Sequence, residues 1–182
     1  MFIQTEQTPN PQTLKFLPGK PIMIEGTAFF QNVDESEDSP LAKRLFNIEG
    51  VTGVFFGSDF ITITKNEGLE WQVMKPFILG AIVEHFKSGE EIYNSQNKDK
   101  ENVNDSDIVK QIKELLDTRV RPAVAMDGGD IIYDSFEDGI VYLHMQGACS
   151  GCPSSTATLK MGIENMLKHY IPEVQEVRPI DA

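Results

Sequence analysis

The sequence predicts an α+β protein made of two small α/β-layered domains that are joined by a polar linker. With 182 residues, of which 40% are hydrophobic, the chain can build two small cores. The segment 94–107 contains a single apolar residue, Val103, and has the composition of a flexible linker. Helical and strand periodicities alternate on both sides of it. We therefore expect one domain at 1–93, the linker at 94–107 and a second domain at 108–182.

The C-terminal domain is predicted to follow the order helix, strand, strand, helix, strand. Its first helix has apolar residues at helical spacing, can be capped by Asp105 or Ser106, and is interrupted or restarted by Pro122. The turn at 137–139 joins two strands into a hairpin. The predicted elements are a helix over 108–120, strands over 131–136 and 140–146, a helix over 154–170 and a strand over 174–178.

The N-terminal domain shows a weaker form of the same order. Ser39 is the candidate cap of its first helix, and the turn at 57–59 joins a hairpin. The predicted elements are strands over 13–17 and 22–25, a helix over 41–48, strands over 51–56 and 60–64, and a helix over 71–86.

Aromatic residues are concentrated in this N-terminal domain. Phe55, Phe56 and Phe60 crowd one hairpin, so we expect at least one of them to be exposed as a docking surface for partner proteins. Phe77, in the last predicted helix of the domain, is expected in the core instead.

Charge and hydropathy exclude two classes of partner. The chain has 28 acidic against 16 basic residues and a net charge of -12, which repels the phosphates of nucleic acid. No apolar run approaches the roughly 20 residues that a membrane-spanning helix needs. We therefore expect neither nucleic acid nor a membrane as a partner.

The only cysteines, Cys149 and Cys152, form a CxxC motif between a predicted strand and a predicted helix. Pro153 suits the first turn of that helix, so the motif lies at the positive end of the helix dipole. Such a position lowers the pKa of a thiol and favours the thiolate, which binds metals and attacks disulfides. Gly147 and Gly151 let the backbone bend tightly around the motif. The sequence thus places its chemistry in the second domain.

Two cysteines supply half of the four protein ligands that a structural zinc ion or a cubane iron–sulfur cluster usually has. The other candidates, His85, His144 and His169, are not spaced like a ligand pair with the cysteines. The simplest completion is a second copy of the chain, related by a twofold axis, which brings four thiolates around one shared centre. We therefore expect a homodimer with the metal centre at its interface.

The segment 127–130 reads Asp-Gly-Gly-Asp. Such a sequence typically forms a turn with positive φ at its glycines. We therefore expect Asp127 and Asp130 to belong to a turn and not to act as an acid/base pair.

Three segments resemble the NifU-like (Nfu) iron–sulfur cluster proteins. The segment 147–155, GACSGCPSS, and the turn at 127–130 are similar to the C-terminal domain of that family, and 8–16, TPNPQTLKF, is similar to the start of its N-terminal domain. The resemblance covers nearly the whole chain except the linker. It implies a scaffold or carrier, not an enzyme, that binds a [4Fe-4S] cluster between two protomers through Cys149 and Cys152 and delivers it to apo-proteins. Whether a [2Fe-2S] cluster is also held is left open.

The same resemblance implies partners and a compartment. The expected partners are the iron–sulfur assembly machinery and apo iron–sulfur client proteins, and the N-terminal domain resembles a module for partner recognition. Mitochondrial members carry a transit peptide, which is not visible in the first residues here. We therefore expect a bacterial cytoplasmic protein, with a mature organelle-matrix form as the alternative.

Two other functions use the same motif. Thiol–disulfide oxidoreductases also place CxxC between a strand and a helix, but a thioredoxin needs about two more strands and a cis-proline loop after that helix. Only 30 residues follow Cys152. A zinc-bridged dimer would use the same four sulfurs and differ only in the metal. Both functions stand as alternatives to the cluster carrier.

Overall fold

A computed structural model of the chain describes residues 1–94, 105–150 and 153–180, with the backbone alone described over 153–156. The chain divides into two compact units, Met1–Lys98 and Asp99–Ala182, called here the N-terminal unit and the C-terminal unit. Both units contain helices and strands, so the predicted two-domain α+β fold is confirmed. The predicted linker at 94–107 lies mostly outside the described residues, and its extent stays a prediction.

The N-terminal unit is a five-stranded antiparallel sheet with two helices. The strand order is β1-β2-β5-β4-β3, so β1 and β3 form the edges. A short 3-10 turn, Asp34–Ser36, precedes the first helix. In chain order the elements are β1 (Gln4–Gln7), β2 (Thr13–Leu17), β3 (Ala28–Phe30), α1 (Pro40–Phe46), β4 (Val51–Phe56), β5 (Ile61–Lys65) and α2 (Trp71–Ser88).

The core of this unit lies between the sheet and its two helices. Phe16, Phe56 and Ile63 point from the sheet to Ile78 and Ile82 of α2, and all five are fully buried. Ser39 caps α1 as predicted, because its Oγ accepts a hydrogen bond from the Ala42 amide at 3.0 Å. Burial of these apolar side chains is the main term that stabilises the unit.

The segment 22–25, predicted as a strand, is irregular. The backbone amides of Ile22 and Met23 donate to the carbonyl of Ser58, in the turn between β4 and β5, and Ile24 is 98% exposed. The segment therefore lies along a turn and has no neighbouring strand to pair with. Two short edge strands, β1 and β3, were not predicted from the sequence.

The structure contradicts the predicted exposure of the hairpin aromatic residues and the predicted burial of Phe77. Phe55, Phe56 and Phe60 are all buried, because Phe56 faces the core and Phe55 packs between Phe29 and Phe60 on the other side of the sheet. Phe77, predicted in the core, is 63% exposed on the outer face of α2. The hairpin therefore offers no aromatic docking surface, whereas α2 has an exposed aromatic residue.

The C-terminal unit follows the predicted order of helix, hairpin, helix and strand. Ser106 caps its first helix by accepting a hydrogen bond from the Val109 amide at 3.4 Å. A π-helical turn, Leu116–Val120, continues that helix into the one that contains Pro122. The elements are α3 (Asp107–Leu115), α4 (Arg121–Met126), β6 (Gly129–Glu137), β7 (Ile140–Gly147), α5 (Pro153–Tyr170) and β8 (Glu176–Ile180). No helix within the described ranges combines the length and apolarity needed to cross a membrane.

The sheet of this unit has three strands in the order β6-β7-β8. The hairpin β6–β7 is antiparallel, and β8 runs parallel to β7, as a strand that returns after a helix does. One face of the sheet packs against the helices. The buried residues at that contact include Ile112, Leu116, Ile131, Leu143, Leu167 and Val177.

Acidification is expected to destabilise the N-terminal unit through His85. This side chain is fully buried, with Nδ1 3.9 Å from the carboxylate of Glu90, and burial followed by the charge of Arg44 lowers the pKa of His85 below 6.5. The unfolded chain then binds a proton more readily than the folded chain. The free energy of unfolding therefore falls as the pH drops below about 6.5, by at most about 1.4 kcal/mol per pH unit.

Urea unfolding at about pH 7.5 and about pH 5.5 tests this effect. Fluorescence of Trp71, the single tryptophan, reports on the unit that contains His85. The variant His85→Phe is expected to lose less stability on acidification than the parent, while His169→Phe, an exposed residue of the other unit, should behave as the parent. An unchanged pH dependence in His85→Phe would contradict the assignment.

Candidate functional site

Cys149 lies in the short segment that connects β7 to α5. The segment begins with a tight turn, in which Gly147 has a φ of +63° and the Ser150 amide donates to the Gly147 carbonyl at 3.1 Å. The side chain of Cys149 packs with the apolar core of the C-terminal unit, and the residue is 6% exposed. Cys152, the second predicted site residue, lies outside the described residues. The structure thus places one of the two predicted residues at a strand-to-helix junction.

Gly129, the first residue of β6, lies directly against Cys149. A Cβ atom at position 129 would be 2.5 Å from Sγ of Cys149 and 2.9 Å from the carbonyl oxygen of Gln146. Gly129 is paired with Gly147 across the β6–β7 ladder, and the Ala148 amide donates to the Gly128 carbonyl at 3.1 Å. Because a side chain has no room here, the start of β6 needs glycine to approach Cys149.

The Asp-Gly-Gly-Asp segment is only partly a turn. Gly128 has a positive φ, of +82°, whereas Gly129 does not, because the strand β6 already begins there. Asp127 is exposed and Asp130 is buried, so their carboxylates have different surroundings. The prediction of positive φ at both glycines is therefore wrong at Gly129, since ladder pairing with β7 extends its backbone.

An ion pair between the half-buried Arg121 and the buried Asp130 fixes the start of β6. Both oxygens of Asp130, whose side chain is 4% exposed, accept hydrogen bonds from the Arg121 guanidinium at 2.9 Å. Asp130 also accepts from the Ile131 amide at 2.8 Å, and Arg121 also donates to Asp117 at 3.0 Å. The hydrogen bond to Asp130 raises the pKa of Arg121 above its usual value. This pair ties the first residue of α4 to the strand that contains Gly129.

The sequence did not reveal this ion pair. Arg121 and Asp130 are nine positions apart, on opposite sides of a turn, and no helical or strand spacing links them. The one available signal was an acidic residue at the start of an apolar strand, since a buried carboxylate requires a partner.

The three histidines have neighbours elsewhere. Nε2 of His144 lies 2.8 Å from a carboxylate oxygen of Asp134, and this hydrogen bond lowers the pKa of Asp134. His169 packs edge-on against Tyr170 with ring centroids 5.0 Å apart, and His85 is buried in the N-terminal unit. In the part of the chain that the structure describes, no group of three or more His, Cys, Asp or Glu side chains is arranged to hold a metal ion.

Comparison with known proteins identifies the family. Residues 3–89 match the model of the scaffold protein Nfu/NifU N-terminal domain, and residues 112–178 match the NifU-like domain. The human protein named NFU1 iron-sulfur cluster scaffold homolog, mitochondrial, is 53% identical over 183 residues, which cover 99% of this chain and 72% of that protein. The chain belongs to the Nfu/NifU family. The resemblance found in the sequence is thereby confirmed.

Two further relatives of this Nfu/NifU chain show similar identity. The NFU1 iron-sulfur cluster scaffold homolog, mitochondrial, of Drosophila sechellia is 53% identical over 99% of this chain, and NifU-like protein 4, mitochondrial, of Arabidopsis thaliana is 54% identical over 97% of it. The chain spans 65% of the length of each of these two relatives.

The predicted location in a bacterial cytoplasm is wrong. The relatives that match nearly the whole chain are named mitochondrial, not bacterial or cytoplasmic. The prediction rests on the first residues of a sequence that covers 65–72% of the length of these relatives. The start of such a sequence holds no information on a targeting segment.

Substitution of Gly129 by Ala is expected to displace Cys149. The new Cβ would overlap with Sγ and with the backbone of the neighbouring strand, and such overpacking costs about 1–3 kcal/mol of stability. In a Cys152→Ser background, where Cys149 is the single thiol, a thiol reagent should label the Gly129→Ala variant faster than the parent.

The matched control for this substitution is Gly162→Ala. Gly162 lies in α5 with nothing within 4 Å of an added Cβ, so alanine there should leave labelling unchanged and stabilise the helix by up to about 1 kcal/mol. Equal labelling rates in Gly129→Ala and the control would contradict the close contact between position 129 and Cys149.

Removal of Arg121 is expected to destabilise the C-terminal unit. The variant Arg121→Met leaves the buried carboxylate of Asp130 without its guanidinium partner, at a cost of about 2–3 kcal/mol in the free energy of unfolding. Asp117 also forms an ion pair with Arg121, but the side chain of Asp117 is 58% exposed. The variant Asp117→Asn should therefore lower the free energy of unfolding by less than about 1 kcal/mol. Calorimetric unfolding of both variants tests the difference. Equal losses in the free energy of unfolding would show that the ion pair with Asp130 contributes no more to stability than the ion pair with Asp117.

Proposed function

We propose that this Nfu/NifU chain is an iron–sulfur cluster scaffold and carrier and not an enzyme. The observation that supports this best is the position of Cys149 at the β7–α5 junction, against Gly129, in a domain that matches the NifU-like model. The relatives named iron-sulfur cluster scaffold homologs match the chain over 99% of its length at 53% identity. In this proposal Cys149 and Cys152 are the ligands of the cluster, which is cargo.

The ligand count argues for a cluster shared between two chains. The chain has two cysteines, and a cubane cluster is usually held by four thiolates. A twofold axis through the cluster brings the same two residues from each protomer, so a homodimer completes the coordination of one [4Fe-4S] cluster. Each protomer then holds only half of the bonds to the cargo.

Access to Cys149 requires a local rearrangement. The residue is 6% exposed and packs with the core, whereas a cluster at a subunit interface has to contact its sulfur. Gly147, whose φ of +63° is a conformation that favours glycine, is the position where the connecting segment can turn outward. Loading therefore exchanges core packing of Sγ for a bond to iron.

Transfer follows as ligand exchange. A thiolate of an apo-protein forms a bond to one iron as the bond from that iron to Cys149 or Cys152 breaks, and the released cysteine takes up a proton. Because each protomer has only two such bonds, successive exchanges free the cluster and remove the link between the protomers. The assembly machinery that loads the cluster and the apo-proteins that receive it are the partners in this proposal.

Anaerobic reconstitution with iron and sulfide tests the proposal. We expect about two irons and two sulfides per chain in a particle of two chains, since a four-iron cluster is shared by two protomers. The variants Cys149→Ser and Cys152→Ser should lose the cluster and stay folded, whereas Ser150→Ala, between the two cysteines, should retain it. A full cluster in either cysteine variant, exclusive uptake of zinc, or insulin reduction without metal would contradict the assignment.

A further inference from the structure

The outer face of α2 has a stripe of exposed residues at coiled-coil spacing. Starting from the residue that precedes the helix, successive members are separated by three and four positions in strict alternation, which is the spacing of a helix-pairing seam. We call these residues the outer stripe. Its members are Val73, Phe77, Gly80, Glu84 and Lys87 of α2, together with Glu70, the N-cap residue, whose backbone is extended.

The centre of the outer stripe is apolar. Val73 is 57% exposed and Phe77 is 63% exposed, and Gly80 follows on the same side of the helix. The opposite side of α2, which includes Ile78 and Ile82, is already buried in the core. A helix whose outer side faces water usually has polar residues on that side. Exposed apolar residues on the outer side of α2 are instead typical of a helix that packs against a second partner.

We propose that a second copy of the chain packs antiparallel on the outer stripe of α2. In this arrangement the twofold axis passes between positions 77 and 80, so Phe77 faces the partner's Gly80 and the same contact repeats on the other side of the axis. An added Cβ at Gly80 would have nothing within 4 Å, so the space beside this position is open to a side chain of a second copy. A large ring that packs over a residue without a side chain is a contact of the ridge-into-groove kind by which helices pair.

The charges at the two ends of the outer stripe support the same register. Within one chain, Glu70 and Lys87 lie about 25 Å apart along the helix. Antiparallel pairing puts Glu70 of each copy opposite the partner's Lys87, so the dimer contains two such pairs. It also puts Glu84, which already contacts Arg44 at 3.3 Å, beside the apolar Val73 of the partner. Parallel pairing would instead set Glu70 against Glu70 and Lys87 against Lys87. The charges therefore favour a second copy in the antiparallel orientation.

The contact is small and independent of the proposed cluster. One pair of helices buries less than the roughly 1,200 Å² of a standard stable interface, so we expect weak association, with a Kd on the order of 10–100 µM. None of its residues lies in the C-terminal unit, so association should occur in the full chain without iron or sulfide.

Sedimentation equilibrium of the full chain tests this proposal. The parent for the experiment has both cysteines replaced by serine, which removes cluster-dependent and disulfide-dependent pairing. We expect the average mass to rise from one chain toward two chains with concentration. Phe77→Glu should weaken association at least about tenfold, because it places a charge in the centre of the contact. Phe77 is mostly exposed, so this change leaves the core intact.

Two further sets of variants separate the interface from effects on folding. Gly80→Glu should raise the thermal stability of the unit, because glutamate is a better helix former than glycine, and yet abolish association. Glu70→Lys and Lys87→Glu should each weaken association about three- to tenfold at low salt, and the double variant should restore it.

Three results would overturn the proposal. The first is a parent that stays a single chain at protein concentrations several times the expected Kd. This result would also be seen if a different protein, and not a second copy, covers the outer stripe. The second is undiminished association of Gly80→Glu. The third is a double charge reversal that fails to restore association, because the antiparallel register requires Glu70 and Lys87 to face each other.

Discussion

Close packing between Gly129 and Cys149 is the constraint on which the rest of the site depends. The β6–β7 ladder begins with Gly129 opposite Gly147, and this pairing brings the backbone of β6 to within contact of Sγ. Any side chain at position 129 would push the two strands apart or move the cysteine. The position of the thiol is thus set by the first pair of a ladder, not by the CxxC motif itself.

That first pair is itself held in place by electrostatics at the start of β6. Asp130 follows Gly129 and is bound through both oxygens to Arg121, the first residue of α4. A buried carboxylate is costly without a partner, so the ion pair specifies where α4 and β6 meet more than it adds net stability. Helix α4, the Gly128 turn and the hairpin therefore form one support for the connection that contains Cys149.

Sequence periodicity predicts the C-terminal unit well, because its strands are long and its helices are bounded by Ser106 and proline. It fails where contacts are distant or elements are short. β1 is a polar edge strand of four residues, so it lacks apolar alternation. The segment 22–25 begins with three apolar residues, which suggested a strand, but it pairs with none of the five strands described in this unit. The motif locates Cys149, but its contact with Gly129 and the Arg121–Asp130 pair join separate elements and leave no local pattern.

The two proposed contacts between copies have complementary physical properties. A cluster held by two thiolates from each chain is a link that disappears when its cargo leaves. A helix contact through the outer stripe is weaker but does not depend on the cargo, so it keeps a second pair of thiolates at a raised effective concentration. Since the chain has only two cysteines, assembly of a shared cluster is a two-chain event whose rate depends on that concentration. Weak pairing through the N-terminal unit therefore favours loading of the cluster onto the C-terminal unit, and it does not make release of the cluster more difficult.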